Sequence, residues 1–484
     1  MADTSYSAIK QNADLTVQQG RKFARKQIQK YRKRRTAEQV ETARAHTASE
    51  RSVSPKQTGR GTLPDAEQRP RRGADLPRQR AKEKVVTAKT APRDMYTETL
   101  SAQDMDDLCS LLQQAHFKGL SKRLRTVFLT LSISCAPSFA MPKRKISIPF
   151  SLTPFRQAAI ADCINLLQYI GSQPDMPHYL QYRMAETESL LRFFLLDVPT
   201  RILYLEFSAD GQLTFCAASN RVPQLLRSAL WNTREPTILT SGTLTAAGDF
   251  DHAKQLLGLA AYAPLRHFRA ESPFNYRKKC LLYIPARRAA AVPENQYLAD
   301  QIVRLTAACH GHALVLFTSY RQMRNVYDAL GGRLTSPVFQ AGRGQNRSIQ
   351  QFKQSGNGVL FAAGSCWEGI DFPGDMVSLL IVAKLPFPIP DPVSDYERRQ
   401  YPNLRDYINA EIIPEMQKKL RQGFGRAIRT ETDTCVVSIL DIRAVKGGKY
   451  HEDVMCALPP CRIAEELKEV QDFIRSRKGV EYYL

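Results

Sequence analysis

The chain has 484 residues, enough for two to four domains, and 43% of them are hydrophobic, so a large core can form over most of its length. A formal net charge of +22 argues against a basic partner surface and points to a polyanion, nucleic acid above all. Met1 to Tyr6 hold no apolar run of the signal-peptide kind, stretches such as 127–141 are too short and broken to span a bilayer, and the ten cysteines include no C-x-x-C pair, so the expectation is a cytoplasmic protein with reduced thiols and no membrane contact.

Residues 1–95 differ from the rest. They carry 23 Lys and Arg against 10 Asp and Glu, so a surplus of 13 positive charges sits here, with basic clusters at Arg32–Arg35 and Arg69–Arg72 and few large apolar residues. Such a segment cannot bury enough surface to offset chain entropy. It reads as a largely disordered basic arm, with a basic helix near 15–45, and either neutralises phosphates or serves as a solvated linker. Residues 96–235 are mixed. Helices are expected over Met105–Leu120 and Thr153–Ile170, and a hairpin over Ile202–Phe207 and Leu213–Ala217 around Asp210-Gly211.

From about residue 236 short apolar runs alternate with helical segments. The expected strands are 237–240, 280–284, 313–317, 358–362, 378–383 and 435–440, with helices at 295–310 and 320–330 as crossovers. The runs are continuous rather than alternating, the mark of strands buried on both faces of a parallel sheet. Polar clusters follow directly: Ser241-Gly-Thr243 after the first run, Thr318-Ser319-Tyr-Arg321 after the third, Glu368-Gly369-Ile-Asp371 after the fourth, Asp441-Ile-Arg443 after the last. In a parallel α/β sheet ligands bind beyond the carboxyl ends of the strands. The stretch Gln422-Gly-Phe-Gly425-Arg426-Ala-Ile-Arg429 is a Q-x-x-G-R-x-x-R pattern. On a helix positions i, i+4 and i+7 share one face, so Gln422, Arg426 and Arg429 are expected to form one polar stripe. Two arginine forks a turn apart suit the oxygens of a polyphosphate, and Gly425 would allow a close approach.

Taken together, these motifs resemble the carboxyl-terminal half of superfamily 2 DNA helicases of the DinG/XPD branch. Thr240–Leu244 resembles motif III, with Gly242 where alanine is usual; Ser272-Pro-Phe274 resembles the S-P-F entry to the second motor domain. Val315–Ser319 resembles motif IV, Trp367–Gly374 motif V with Leu385–Pro388 after it, and Gln422–Arg429 motif VI. The resemblance implies a RecA-like α/β motor domain over 265–484. It would be preceded by a partial first motor domain or insert remnant over 96–264 and the arm over 1–95. It further implies that Arg426 and Arg429 are arginine fingers to the γ-phosphate of ATP, and that Gln422 contacts phosphate or water. Glu368, Gly369 and Asp371 would couple nucleotide to strand, and Ser241 and Thr243 hydrolysis to movement. Thr318, Ser319 and Arg321 would hold backbone phosphates of single-stranded or forked DNA.

Such a helicase also needs a G-x-x-x-x-G-K-[ST] phosphate loop and a D-E-A-H-type box. Neither occurs in the sequence; its only Gly-Lys pair is Gly448-Lys449, followed by Tyr450, and Asp-Glu is absent. ATP and Mg2+ are therefore implied by the resemblance with the metal ligands lying elsewhere. No iron–sulfur cluster is expected, because the family's cluster cysteines lie between those two motifs. The expectation is a truncated helicase-like protein, inactive in ATP hydrolysis by itself, with the first motor domain either supplied by a separate chain or lost. The alternatives are a non-catalytic DNA-binding protein using its basic arm, or a degenerate gene product.

Overall fold

A computed structural model describes residues 96–484 apart from 138–144, 197, 233–236, 247, 262–264, 271, 287–291, 343–345, 368, 369, 371, 373 and 484. The arm over 1–95, with its expected helix, lies outside the described residues.

Residues 97–219 build a four-stranded antiparallel sheet in the order β1 (Thr97–Ser101), β4 (Leu213–Ser219), β3 (Arg201–Phe207), β2 (Ile146–Pro149). The hairpin β3–β4 is the one expected, with Leu205 facing Phe215 and Gly211 at φ 84° in the turn. Helices α1 (Ala102–Gln114), α2 (Lys118–Cys135), α3 (Pro154–Gly171) and α4 (His178–Leu195) share a core with it, closed around Leu124, Leu131, Ile160, Leu191 and Phe215. The single helix expected over 105–120 is instead two: α1 opens on a Ser101–Asp104 capping box and ends at Gln114, because His116 turns the chain at φ 68°. Thr153 caps α3 and Pro154 fills its first turn.

The second sheet has seven strands, all paired in parallel, in the order β11 (Arg462–Ala464), β5 (Cys280–Tyr283), β10 (Cys435–Ile439), β9 (Leu379–Val382), β6 (Ala313–Phe317), β8 (Val359–Ala363), β7 (Val338–Ala341). β5, β6, β8, β9 and β10 are buried throughout, as continuous apolar runs require. On one face lie α5 (Glu294–Ala308), α6 (Tyr320–Leu330) and α10 (Leu467–Arg477), packed through Ile302, Val326 and Ile474. On the other lie α7 (Asn346–Gln354), α8 (Ile413–Phe424) and α9 (His451–Ala457), packed through Phe352, Leu420 and Val454. The expected parallel α/β sheet is therefore present.

One expected strand is not. Residues 237–240 are irregular and largely exposed, with Ile238 at 64% exposure. Ile238 and Leu239 between two β-branched threonines pass for a strand in sequence, yet no described strand pairs with them. β7 and β11 went unforeseen because they are short edge strands carrying Gln340 and Arg462.

Candidate functional site

Register aligns the carboxyl ends of the central strands. Leu316 of β6 faces Ala362 of β8 and Val382 of β9, and Val382 faces Ile439 of β10. The chain runs β6, β7, β8 to one side and then crosses to β9 on the other side of β6, so strand order reverses between β6 and β9. A crevice at such a reversal is where open α/β sheets take their ligands. Thr318 leaves β6 at this edge half-buried. Ser319 caps α6, its hydroxyl accepting from the Gln322 N–H at 3.2 Å, and Arg321 is exposed in the first turn.

The Q-x-x-G-R-x-x-R segment does not continue as helix. α8 stops at Phe424 and Gly425 is its C-cap, so Gln422 lies on the helix while Arg426 and Arg429 lie beyond it. The single polar stripe expected from sequence is thus replaced by a helix end and a turn. The Arg426 and Ala427 N–H groups bond back to the Gly423 and Phe424 carbonyls at 3.0 and 2.9 Å, tightening the last turn. Asp433, buried, then accepts the backbone N–H of Arg429 at 2.7 Å and of Thr430 at 2.8 Å, and the Thr430 hydroxyl at 2.5 Å. The Arg426 guanidinium donates from Nη1 to the Ile370 carbonyl. The side chain of Arg429 is exposed.

Trp367, 1% exposed, joins three of these loops: its indole N–H donates to the Phe317 carbonyl at 2.9 Å and its ring packs on α8. A Cβ at Gly423 would lie 2.8 Å from that ring. Close approach is therefore served by Gly423. Gly425, the glycine singled out from sequence, has only the Gln422 and Arg421 carbonyls within 4 Å of a would-be Cβ, the nearer at 3.3 Å.

Ser241 and Thr243 share a turn: the Ser241 hydroxyl accepts the Thr243 N–H at 3.1 Å and lies 3.2 Å from the Thr243 hydroxyl. Two polar clamps hold the segment that follows. Arg421 donates from Nη1 to the Thr245 carbonyl and hydroxyl, each at 2.9 Å, and from Nε to the Ala457 carbonyl at 3.0 Å. Burial, and then the nearby charge of Arg269, push its pKa below the ordinary guanidinium value. His252 meets Glu411 at 3.2 Å, and the other Glu411 oxygen accepts the Tyr401 hydroxyl at 2.6 Å. The stretch past Ser241 is thereby tied to the helix that carries Gln422.

Beyond β10, Asp441 accepts the Leu385 N–H at 2.9 Å and pairs with Arg443 through Nε at 2.9 Å and Nη2 at 2.6 Å. Burial alone would raise this carboxyl; the Arg443 bonds and the Leu385 N–H outweigh it and hold the pKa below the ordinary value. Arg443 lies 4.7 Å over the Phe387 ring, so the loop after β9 is held from both sides.

Residues 302–461 match the family model described as Helicase C-terminal domain. The chain is 33% identical over 289 residues to the ATP-dependent helicase DinG of Mycobacterium tuberculosis, covering 57% of this chain and 43% of that protein. Residues 302–461 therefore resemble a helicase C-terminal domain, and the chain is similar to DinG-type helicases. Over 331 residues the chain is 27% identical to a Bacillus subtilis protein named 3'-5' exonuclease DinG, covering 64% of this chain and 34% of that one. A solved XPD helicase is 18% identical, with a TM-score of 0.44 over 77% of this chain and 66% of that one. The chain spans less than half the length of the curated relatives named here.

Glu368, Gly369 and Asp371 lie outside the described residues, flanked by Trp367 and Ile370, which are described. The structure brings Gln422, Arg426, Trp367 and Ile370 to one helix end. Ser241 and Thr243 reach that helix through Thr245 and Arg421. Among the described residues no group of His, Cys, Asp or Glu could hold a metal ion. No helix among the described residues is long and apolar enough to cross a membrane. Arg421, Thr245 and Gly423 were not foreseen. Gly423, inside the motif, carried the only signal, a second glycine one turn from a tryptophan-bearing loop in space but not in sequence.

Proposed function

We propose that this chain supplies the second motor domain of an ATP-dependent DNA helicase, with Arg426 and Arg429 as the fingers that reach a γ-phosphate. The observation that carries this reading is the contact chain Phe317–Trp367–Gly423 with Arg426 on Ile370, which ties the ends of β6, β8 and α8 together. A group moved at the arginine end is felt at Thr318, Ser319 and Arg321, where the DNA backbone is held. When bound, ATP supplies the phosphoryl group whose cleavage drives the cycle. Arg426 and Arg429 stabilise the charge that develops there, and Gln422 orients phosphate or water. Glu368, Gly369 and Asp371, with Ser241 and Thr243, couple that site to the strand. The domain division is 1–95, 96–264 and 265–484, and the phosphate loop and Mg2+ donors come from a separate chain. ATP hydrolysis by this chain mixed with a phosphate-loop partner should rise with single-stranded DNA and vanish in Arg426→Ala. Absence of hydrolysis in that mixture, or hydrolysis by this chain alone that survives Arg426→Ala, overturns the reading.

A second reading rests on the charge surplus of 13 in residues 1–95. There the chain is a DNA-binding protein without catalysis, its affinity falling steeply with salt, lost on removing 1–95 and indifferent to Arg426.

A further inference from the structure

Three thiols stand in a row on one face of the parallel sheet, at the edge opposite the helicase loops. Cys435 of β10 faces Cys280 of β5 in register. On the other side of β5, Arg462 of β11 faces Leu281, so the residue before each, Cys461 and Cys280, are also level. Side chains alternate along a strand. Cys280, Leu282, Cys435 and Val437 accordingly lie in one core while Leu281 and Val436 lie in the other, and Cys461 packs against the first. Neighbouring strands lie about 4.8 Å apart, inside the roughly 4.4–6.8 Å that separates the Cα atoms of disulfide-bonded cysteines. Cys280 and Cys435 are fully buried, whereas Cys461 is partly open to solvent.

We propose that Cys461 and Cys280 form a peroxide-sensitive thiol pair whose oxidation ties the edge strand β11 to β5. The Cys461 thiolate attacks one oxygen of hydrogen peroxide; the O–O bond breaks, hydroxide leaves and is protonated to water, and Cys461 becomes a sulfenic acid. The Cys280 sulfur, after losing its proton, attacks the Cys461 sulfur; the S–S bond forms, the S–O bond breaks, and the hydroxyl leaves as a second water. Two thiols are oxidised by two electrons and one peroxide is reduced. Cys461 is the thiol open to solvent and so meets peroxide first; interaction of the Cys280 S–H with the Cys461 sulfur and then burial push the Cys280 thiol up, which leaves Cys280 as the resolving one.

The test treats the full chain with hydrogen peroxide, blocks remaining thiols with an alkylating reagent under denaturing conditions, and maps peptides without reduction. The expected result is a linked pair containing Cys280 and Cys461, two hydrogens lighter than the separate peptides, lost on adding a dithiol reductant. It should be absent in Cys461→Ser and retained in Cys456→Ser. A bridge between Cys456 and Cys461, or sulfinic acid at Cys461 with Cys280 still alkylated, overturns the proposal. The wild-type map decides this even where a Cys280 variant fails to fold.

Discussion

Arg421 holds Thr245 by two hydrogen bonds from one guanidinium nitrogen, to the backbone carbonyl and to the hydroxyl, each 2.9 Å long. Thr245 follows the turn of Ser241 and Thr243, and Arg421 immediately precedes Gln422. One side chain therefore sets where the two segments stand relative to each other. Arg421→Ala leaves the Thr245 and Ala457 carbonyls without this donor and should cost about 1.5–3 kcal/mol. Chemical denaturation measures the loss, and limited proteolysis should cut sooner between residues 241 and 257. Arg421→Lys should rescue little, because a single ammonium cannot reproduce the fork.

Gly423→Ala places a methyl 2.8 Å from the Trp367 ring and 3.2 Å from Leu316, a buried ring and a buried strand. Overpacking of this kind should destabilise by about 1–3 kcal/mol. The same variant should move the tryptophan emission maximum, since Trp367 is one of only two tryptophans in the chain. Unchanged stability and emission would show that Trp367 can withdraw from α8.

Asp433 serves three donors at the exit from α8 and fixes the backbone of Arg429. Asp433→Ala should cost roughly 2 kcal/mol, by analogy with lost charged hydrogen bonds. Asp433→Asn, which keeps one acceptor oxygen, should fall between the two. Hydrogen exchange at the Arg429 and Thr430 amides reads the effect at its source.

The Asp441 carboxyl has its pKa held below the unfolded value by Arg443 and the Leu385 N–H, against the opposing effect of burial. A depressed folded pKa means that the unfolded chain takes up the proton first as pH falls. The stabilisation is therefore complete above the unfolded pKa of about 3.9 and is lost as pH drops through the folded value. Asp441→Asn should be less stable at neutral pH and show a flatter decline of stability below about pH 4. Parallel acid-unfolding curves for the two proteins would refute the assignment.

Much of this protein was legible in its residues. Continuous apolar runs such as Ala313–Phe317 and Cys435–Ile439 identify themselves as doubly buried parallel strands, because only a strand covered on both faces dispenses with polar alternation. Helix α6 was read with its ends intact, and the structure shows Ser319 capping its start and Gly331 its end. The motif order was likewise a property of the chain alone. What failed were readings that depend on neighbours distant in sequence. Residues 237–240 have strand composition, but a strand exists only beside another, and among the described residues they belong to no sheet. Gln422, Arg426 and Arg429 have helical spacing, but Gly425 and the buried Asp433 end the helix between them. The choice of Gly423 rather than Gly425 for close approach was made by Trp367, and the link from Thr245 to the motif helix by Arg421. Local propensity and periodicity are written in consecutive residues; which loops meet, and which side chain bridges them, depends on contacts that only the folded chain creates.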